Sequence, residues 1–218
     1  ELVGDVIGLN PADTSVVEYD GDVNFMKGAI ECANKVTTVS PSYAGEILDP
    51  WYSHGLDTIL RERQWKLQGI LNGIDVDNYN PETDKAIVKN YTVKNVKAGK
   101  AENKKALQKE MGLPEKADTP IIGLVTRLVS HKGLDLIKGI LDELLYTTDV
   151  QIAVLGSGDW QYEEFFKEMA GRYPNQLGLR LGFVPDLARK IYAGSDMFLM
   201  PSKSEPCGLS QMVALRYG

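Results

Sequence analysis

The sequence has few of the residues that build metal centres and disulfide frameworks. Its two cysteines, Cys32 and Cys207, lie far apart and form neither a disulfide framework nor a C-x-x-C pattern. Its two histidines, His54 and His131, have no partner at metal-ligand spacing, so we expect no metal site. This scarcity of cysteine favours a reducing compartment, and the cytoplasm is the expected location.

Long apolar runs and an excess of positive charge are also missing. No apolar run approaches the roughly 20 residues that a transmembrane helix needs, and the start E-L-V-G-D-V-I-G lacks the basic region of a signal peptide. Acidic residues number 30 against 24 Lys and Arg, which gives a formal net charge of −6. An acidic chain opposes general nucleic-acid binding. We therefore expect neither a membrane nor a nucleic acid as partner.

The first 75 residues contain one step of a β-α pattern. After a loop, they predict a helix around residues 24–34, a strand at residues 35–40 and a helix at about residues 42–48. Ser40 and Pro41 provide a capping serine and a proline near the entry of that second helix. The run K-L-Q-G-I-L-N-G-I-D then predicts a short strand that closes in a turn.

The rest of the chain predicts a regular alternation of strands and helices. A polar stretch at residues 78–99 is followed by a charged helix that ends at Gly112 and Pro114. The Lys-rich residues 94–109 are interpreted as a solvated helix face. Four β-α units then follow, with strands at 121–126, 150–155, 177–183 and 197–201 and helices at 133–145, 160–172, 187–193 and 208–217. This order predicts an α/β fold with a Rossmann-like parallel sheet and helices on both faces.

The two ends of the chain do not look like natural domain boundaries. The first residue is Glu rather than Met, and the last residues, R-Y-G, directly follow a helix where another strand is expected. We interpret the sequence as a fragment or a processed chain.

Two basic residues and one acidic residue follow predicted strands and point to a binding site. Arg127 and Lys132 lie in T-R-L-V-S-H-K-G, and Glu205 lies in P-S-K-S-E-P-C-G-L-S-Q. In a parallel sheet both segments emerge at the carboxyl edge, where open α/β sheets bind ligands. Two cations suit a diphosphate, and a carboxylate followed by Gly208 at a predicted helix start suits sugar hydroxyls and a phosphate. The pattern predicts a sugar-nucleotide site.

The segments around these residues strongly resemble bacterial glycogen synthases and plant starch synthases. The matching strings are R-L-V-S-H-K-G, E-P-C-G-L, K-G-A-I-E-C-A-N-K-V-T-T-V-S-P-S-Y-A-G-E-I, G-I-L-N-G-I-D, K-A-E-N-K-K-A-L-Q-K-E-M-G-L and S-E-P-C-G-L-S-Q-M-V-A-L-R-Y-G. They occur in the family's order and cover essentially the whole chain. Such long strings are far more specific than a single glycine pattern.

The resemblance implies a retaining glycosyltransferase with two Rossmann-like domains that face each other across a cleft. Residues 1–75 would be the end of the N-terminal, acceptor-side domain, and residues 76–218 most of the nucleotide-sugar domain. The implied reaction transfers glucose from ADP-glucose to the nonreducing end of an α-1,4-glucan without a metal or other cofactor. The implied location is the cytoplasm, or the plastid in a plant. The family's K-x-G-G-L loop, its catalytic histidine and its later glycine-rich loop are absent from this sequence, so the fragment alone is expected to be inactive.

The family implies roles for the three charged residues. Arg127 and Lys132 match the basic pair that neutralises the leaving diphosphate, with surface ion pairs as the alternative. Glu205 matches the glutamate that contacts sugar hydroxyls, with a capping carboxylate as the alternative. The backbone amides of Cys207, Gly208 and Leu209 and the hydroxyl of Ser210 would face phosphate or sugar. A helix start can also lower a thiol pKa, so Cys207 is either a reactive cysteine or a small residue beside the ligand.

Weaker matches concern the nucleotide and the junction between domains. Gly156 and Gly158 lie in a loop that approaches the nucleotide in the family, although G-S-G-D is not a full G-x-G-x-x-G and a tight β-α turn explains it better than a direct contact. Phe183 matches an aromatic position that stacks on the base, and core packing is its alternative. Asn72 matches the asparagine of N-G-[IV]-D that reaches the cleft, and a plain Asn-Gly turn is its alternative.

Three other functions are alternatives to a glycogen or starch synthase. Relatives that use another sugar donor commonly carry a second glutamate eight positions after the first, and here that position is Val213. A noncatalytic nucleotide- or glucan-binding module is the hypothesis from a different class. An NAD-dependent oxidoreductase would need a full glycine fingerprint with an acidic ribose partner, and the sequence has neither.

Overall fold

The computed structural model describes residues 2–6 and 8–218 and divides into two compact units. The first unit ends at Asn72, and the second runs from Gly73 to Gly218.

The first unit contains short helices and two small two-stranded sheets. In chain order its elements are helix α1 (Leu2–Asp5), a 3-10 turn (Pro11–Val16), strands β1 (Glu18–Tyr19) and β2 (Asp22–Val23), helix α2 (Phe25–Cys32), strand β3 (Val36–Thr38), helices α3 (Pro41–Glu46) and α4 (Asp57–Glu62), a 3-10 turn (Gln64–Lys66) and strand β4 (Leu67–Gly69). β1 and β2 are antiparallel, whereas β3 and β4 are parallel. Its core is formed by Ile30, Ile59 and Leu60.

Two helix starts of this unit follow from their capping residues. The side chain of Asn24 accepts a hydrogen bond from the backbone N–H of Lys27 at 2.9 Å. Ser40 Oγ accepts one from the N–H of Tyr43 at 3.0 Å, and Pro41 occupies the first turn. Such caps satisfy backbone donors that have no partner inside the helix. The predicted cap at Ser40 is confirmed.

The second unit is a parallel sheet between helices. Its elements are helix α5 (Val96–Glu110), strand β5 (Ile121–Val125), a 3-10 turn (Ser130–Lys132), helix α6 (Leu134–Thr147), strand β6 (Gln151–Gly156), helix α7 (Trp160–Arg172), strand β7 (Leu177–Leu181), helix α8 (Pro185–Gly194), strand β8 (Met197–Phe198) and helix α9 (Ser210–Tyr217). The strand order is β7-β6-β5-β8, and every neighbouring pair is parallel.

Alternating side chains along the strands cover both faces of this sheet. Ile152 and Val154 of β6 pack in one core cluster, which also contains buried residues of α6 and α7. The intervening Ala153 and Leu155 pack in another cluster with residues of α5 and α8. Because successive strand residues point to opposite faces, helices cover the sheet on both sides. The predicted α/β fold with a parallel sheet is confirmed.

Several predicted bounds differ from the structure. The helix expected from Gly208 begins at Ser210, because Gly208 has φ +73° and this left-handed conformation cannot join a right-handed helix. The helix expected at residues 42–48 lies at Pro41–Glu46, and α5 begins at Val96, within the polar stretch at residues 78–99. α4 and the β1–β2 pair were not predicted.

Candidate functional site

The candidate site lies where the strand order of the four-stranded sheet reverses. β5 stands between β6 and β8, so the chain leaves β5 first toward one edge and later returns on its other side. Residues 126–133, which we call the β5 loop, follow β5, and residues 199–209, the β8 loop, follow β8. Both loops leave the same carboxyl edge because the strands are parallel. Such switch points are where open α/β sheets bind ligands.

The backbones of the two loops are in direct contact. The N–H of Lys203 donates to the carbonyl of His131 at 2.9 Å. A Cβ atom at Gly133 would lie 2.0 Å from the carbonyl oxygen of Pro201, so only glycine permits this approach. Lys203 Nζ also lies 2.5 Å from Asp135 Oδ2, and this contact lowers the pKa of the exposed Asp135 carboxyl below its usual value.

These contacts bring Lys132 and Glu205 together. Lys132 Nζ donates to Glu205 Oε2 at 2.7 Å, and Ser202 Oγ donates to the same oxygen at 2.8 Å. The side chains of Lys132 and Glu205 are 14% and 24% exposed, so the ion pair is partly withdrawn from water. Lys132 does form an ion pair, as the alternative interpretation expects. The pair is not an ordinary surface pair, however, because it is partly buried and its partner is Glu205, which is itself a predicted site residue.

Arg127 differs from Lys132 in that its side chain contacts a histidine. Its NH2 lies 3.3 Å from His131 Nε2, and its side chain is exposed. Within the described part of the chain, no carboxylate lies at ion-pair distance from Arg127. A guanidinium with its charge uncompensated at a strand end is suited to an anionic ligand.

Gly156 and Gly158 are required by the packing of the β5 loop. A Cβ atom at Gly156 would lie 1.9 Å from the carbonyl oxygen of Thr126, and one at Gly158 would lie 2.3 Å from that of Leu128. Leu128 also pairs with Gly158 in an isolated parallel bridge. These contacts support the tight-turn explanation for both glycines. Gly156 also lines a cleft beside Arg127.

A cleft of about 390 Å³ opens beside Arg127 at the ends of β5, β6 and β7. Its walls come from Arg127 and Ser157, from the segment 182–185, and from apolar residues of the sheet and α8, and the lining includes Gly156 and Phe183. Mainly apolar walls with few charged groups are typical of small-molecule sites.

Phe183 lies at the rim of this cleft and is 91% exposed. The alternative of core packing for Phe183 is therefore wrong. Gly182 precedes it with φ +121°, a conformation that is open to glycine and that ends β7. The ring is free to stack on a planar ligand.

The last part of the β8 loop leads into α9. Leu209 occupies the position before the helix, and Gln211 Nε2 donates to the carbonyl of Cys207 at 2.8 Å. A Cβ atom at Gly208 would lie 2.5 Å from Gln211 Oε1, so Gln211 is packed against this turn. Cys207 is a free, half-buried thiol.

The hydroxyl of Ser210 contacts a buried tyrosine. Burial raises the pKa of Tyr192, and a hydrogen bond with the side chain of Ser210 partly offsets this rise. Ser210 therefore belongs to the packing between α8 and α9 as well as to the predicted site.

The chain is similar to curated glycogen synthases and to a starch synthase of known structure. It is 47% identical over 220 aligned positions to a glycogen synthase of Exiguobacterium sibiricum and 50% identical to one of Ligilactobacillus salivarius. Each alignment covers 100% of this chain, but only 45% of the first protein and 46% of the second. The catalytic domain of starch synthase IV from Arabidopsis thaliana, solved bound to ADP and acarbose, has a TM-score of 0.87 and 38% identity, over 98% of this chain and 44% of that one.

Two family models match the chain in sequence order. Residues 2–62 match the starch synthase catalytic domain, and residues 103–218, more than half of the chain, match glycosyl transferases group 1. The chain belongs to the glycosyltransferase family of glycogen and starch synthases. The predicted resemblance is confirmed, and the chain spans about 45% of the length of the glycogen synthases it matches.

One predicted site residue of the glycosyltransferase lies in the other unit. Asn72 is exposed and is the last residue of the first unit, whereas the other predicted site residues belong to the second. Val213, at the position where relatives with other donors carry a second glutamate, is 3% exposed and packs with Tyr192 and Tyr217.

Two contacts of the candidate site were not predicted from the sequence: that of Ser202 with Glu205 and that of His131 with Arg127. The S-x-x-E spacing of Ser202 and Glu205 is the signal that was available, because this spacing is that of a capping box, in which a serine and a glutamate lie close together. No comparable signal joins His131 to Arg127, since their contact depends on the course of the β5 loop.

Among residues 2–6 and 8–218, no helix is long and apolar enough to cross a membrane.

Proposed function

We propose that this chain carries the donor site of a glycogen or starch synthase. The reaction would transfer glucose from ADP-glucose to the nonreducing end of an α-1,4-glucan with retention of configuration. The observation that carries the proposal is the junction of the β5 and β8 loops, where Lys132 meets Glu205 at 2.7 Å. Arg127, which has no carboxylate partner among the described residues, lies on the same loop as Lys132.

The charges at this junction suit the cleavage of a sugar diphosphate. The bond between the anomeric carbon and a phosphate oxygen breaks, and its electron pair stays on the departing diphosphate. Arg127 and Lys132 would neutralise that growing charge. Preorganised donors of this kind each stabilise a transition state by about 3–4 kcal/mol. Lys132 Nζ has three hydrogens, of which one is directed to Glu205.

Glu205 and Phe183 would hold the two ends of the donor. A carboxylate oxygen of Glu205 would accept hydrogen bonds from glucose hydroxyls, and the exposed ring of Phe183 would stack on the base at the rim of the cleft. The backbone amides at Cys207, Gly208 and Leu209 are proposed to face the phosphate or sugar. The ADP in the starch synthase IV structure supports an adenine nucleotide.

Other aspects of the proposal rest on the family. The acceptor would attack from the face of the leaving group, and the departing phosphate would assist the removal of its proton. We propose that Arg127 and Lys132 supply the positive charge, with no metal or other cofactor. The cytoplasm, or the plastid in a plant, is the proposed location.

A donor comparison on the full-length protein tests this function. Glucose incorporation into glycogen would be measured from ADP-glucose and from UDP-glucose at equal concentrations. We expect incorporation from ADP-glucose. UDP-glucose alone as donor would replace ADP-glucose in the proposal, and incorporation from neither donor would refute it.

The second candidate is a nucleotide-binding module without catalysis. It is favoured by one observation, namely that Arg127, Lys132, Glu205 and Phe183 all belong to the second unit. Calorimetry discriminates the two: ADP binding that Arg127→Ala weakens, in a full-length protein that extends no glucan, would support the module.

A further inference from the structure

The two carboxylate oxygens of Glu205 have different surroundings. Oε2 accepts hydrogen bonds from Lys132 Nζ at 2.7 Å and from Ser202 Oγ at 2.8 Å. Oε1 has no hydrogen-bond partner among the described residues, and it is not among their buried unpaired atoms. One oxygen is therefore fully used inside the protein, while the other is open to solvent.

We propose that Ser202 is a positioning residue that holds Glu205 so that Oε1 is the oxygen offered to a glucose hydroxyl. The inference rests on the proposed function, because it assigns the sugar end of the donor to Glu205. Ser202 touches neither the sugar nor the diphosphate in this assignment. It acts through the carboxylate that it orients.

The position of the Ser202 hydroxyl is set by the backbone. The preceding residue, Pro201, is in close contact with Gly133, and the N–H of the following residue, Lys203, donates to the carbonyl of His131. Ser202 thus sits on the part of the β8 loop that is attached to the β5 loop. Its short side chain has little freedom of its own, so its donor remains where Glu205 needs it.

The second donor on Oε2 is needed because Lys132 has two tasks. When a diphosphate binds, its oxygens compete with Glu205 for the Lys132 ammonium. The bond from Ser202 does not take part in this competition, since a serine hydroxyl donates a single proton and already directs it to Oε2. Ser202 therefore keeps the carboxylate in place while Lys132 turns toward the phosphate.

Removal of the hydroxyl tests this role in the full-length protein. For Ser202→Ala we expect kcat/KM with ADP-glucose to fall about tenfold, because a hydrogen bond to a charged group is lost. The Kd of ADP, measured by calorimetry, should stay within about twofold, because ADP lacks the glucosyl group that would reach Glu205. Ser202→Thr keeps the hydroxyl and should restore kcat/KM. Ser204→Ala, in the same loop, is the matched control and should behave as the unmodified protein.

A double-mutant cycle with Glu205→Gln separates positioning from a merely structural role. If Ser202 acts through Glu205, Ser202→Ala should change kcat/KM less than about twofold in the Glu205→Gln background. An undiminished effect in that background, or equal losses of ADP binding and kcat/KM, would overturn the inference and leave the proposed function standing. A full-length protein that transfers no glucose and binds no ADP would overturn the proposed function itself, together with this inference.

Discussion

Lys132 and Glu205 are 73 positions apart in the sequence, yet Lys132 Nζ lies 2.7 Å from Glu205 Oε2. They meet because β5 and β8 are neighbouring parallel strands whose loops leave the same edge of the sheet. Each residue compensates the charge of the other before a donor is bound. This arrangement couples the proposed phosphate end of the site to its sugar end, so a substitution of either residue should affect the interactions at both ends.

Replacing Lys132 with Met should remove most turnover of the full-length protein. The variant loses a donor at the leaving diphosphate, and we expect kcat to fall by about 100- to 1000-fold. The fold should persist, because Glu205 remains 24% exposed and keeps the hydrogen bond from Ser202. Initial rates with ADP-glucose, together with thermal unfolding, would measure the two effects.

Lys167→Met is the matched control for this experiment. Lys167 forms an exposed ion pair with Glu164 at 2.6 Å on α7, outside the candidate site. Exposed ion pairs contribute little to stability, so turnover and unfolding should change little. Full activity of Lys132→Met would contradict the role assigned to this residue.

Phe183→Ala should weaken ADP binding without affecting stability. The ring is 91% exposed, so its removal leaves no cavity in the core. Stacking of a base on an aromatic ring contributes about 1–3 kcal/mol, and we expect the Kd of ADP to rise by about 5- to 100-fold. Calorimetry and thermal unfolding would be run on the same preparation.

Phe183→Tyr provides the comparison for that variant. It keeps a stacking ring and should bind ADP about as well as the unmodified protein. If Phe183→Ala binds ADP with unchanged affinity, the ring does not contact the nucleotide.

The order of elements in the second unit could be predicted because it follows from local patterns. The helix expected at residues 160–172 lies at Trp160–Arg172, and the strands were expected within a few residues of β5, β6 and β7. α4 could not be predicted, because its six residues, D-T-I-L-R-E, bury only Ile59 and Leu60 and are too short for a helical period.

The placement of Lys132 and Glu205 at one sheet edge could be predicted, but their direct contact could not. Lys132 and Glu205 were placed at one sheet edge by their positions after strands, whereas their direct pairing depends on the approach of Gly133 to Pro201. The interpretation of residues 94–109 as a solvated face was wrong in part. Lys104, which pairs with Asp196 at 2.9 Å, is buried, because this charged helix packs against α8.

Gly158→Ala should destabilise the protein for a steric reason alone. Its Cβ atom would lie 2.3 Å from the carbonyl oxygen of Leu128, which is backbone and cannot move aside. We expect a loss of about 1–3 kcal/mol in the free energy of unfolding, measured with urea. Gly139→Ala is the control: beyond its chain neighbours and the backbone of its own helix, no described atom lies within 4 Å of its added Cβ, and alanine should stabilise α6 by up to about 1 kcal/mol. Equal effects of the two substitutions would contradict the contact at Gly158.

Lys100 should make the protein more stable as the pH rises from 7 to 9.5. Its Nζ donates to the backbone carbonyls of Tyr192 at 3.1 Å and Tyr217 at 3.4 Å, which lie at or near the ends of α8 and α9. Burial lowers the pKa of Lys100 to about 8, although the charge of Asp196 opposes this shift. In the unfolded chain the lysine keeps its ordinary pKa of about 10.4.

The direction of the pH effect follows from proton binding. Between pH 8 and about 10 the unfolded chain binds more protons than the folded protein, so the free energy of unfolding rises with pH. We expect a gain of about 2 kcal/mol by urea unfolding. Burial raises the pKa of Tyr91 and Tyr217, and this opposes the gain only as the pH approaches that of tyrosine ionisation in the unfolded chain. Lys100→Met should abolish the rise, whereas Lys97→Met, on the exposed side of α5, should retain it. If the free energy of unfolding of Lys100→Met still rises with pH, another group causes the rise.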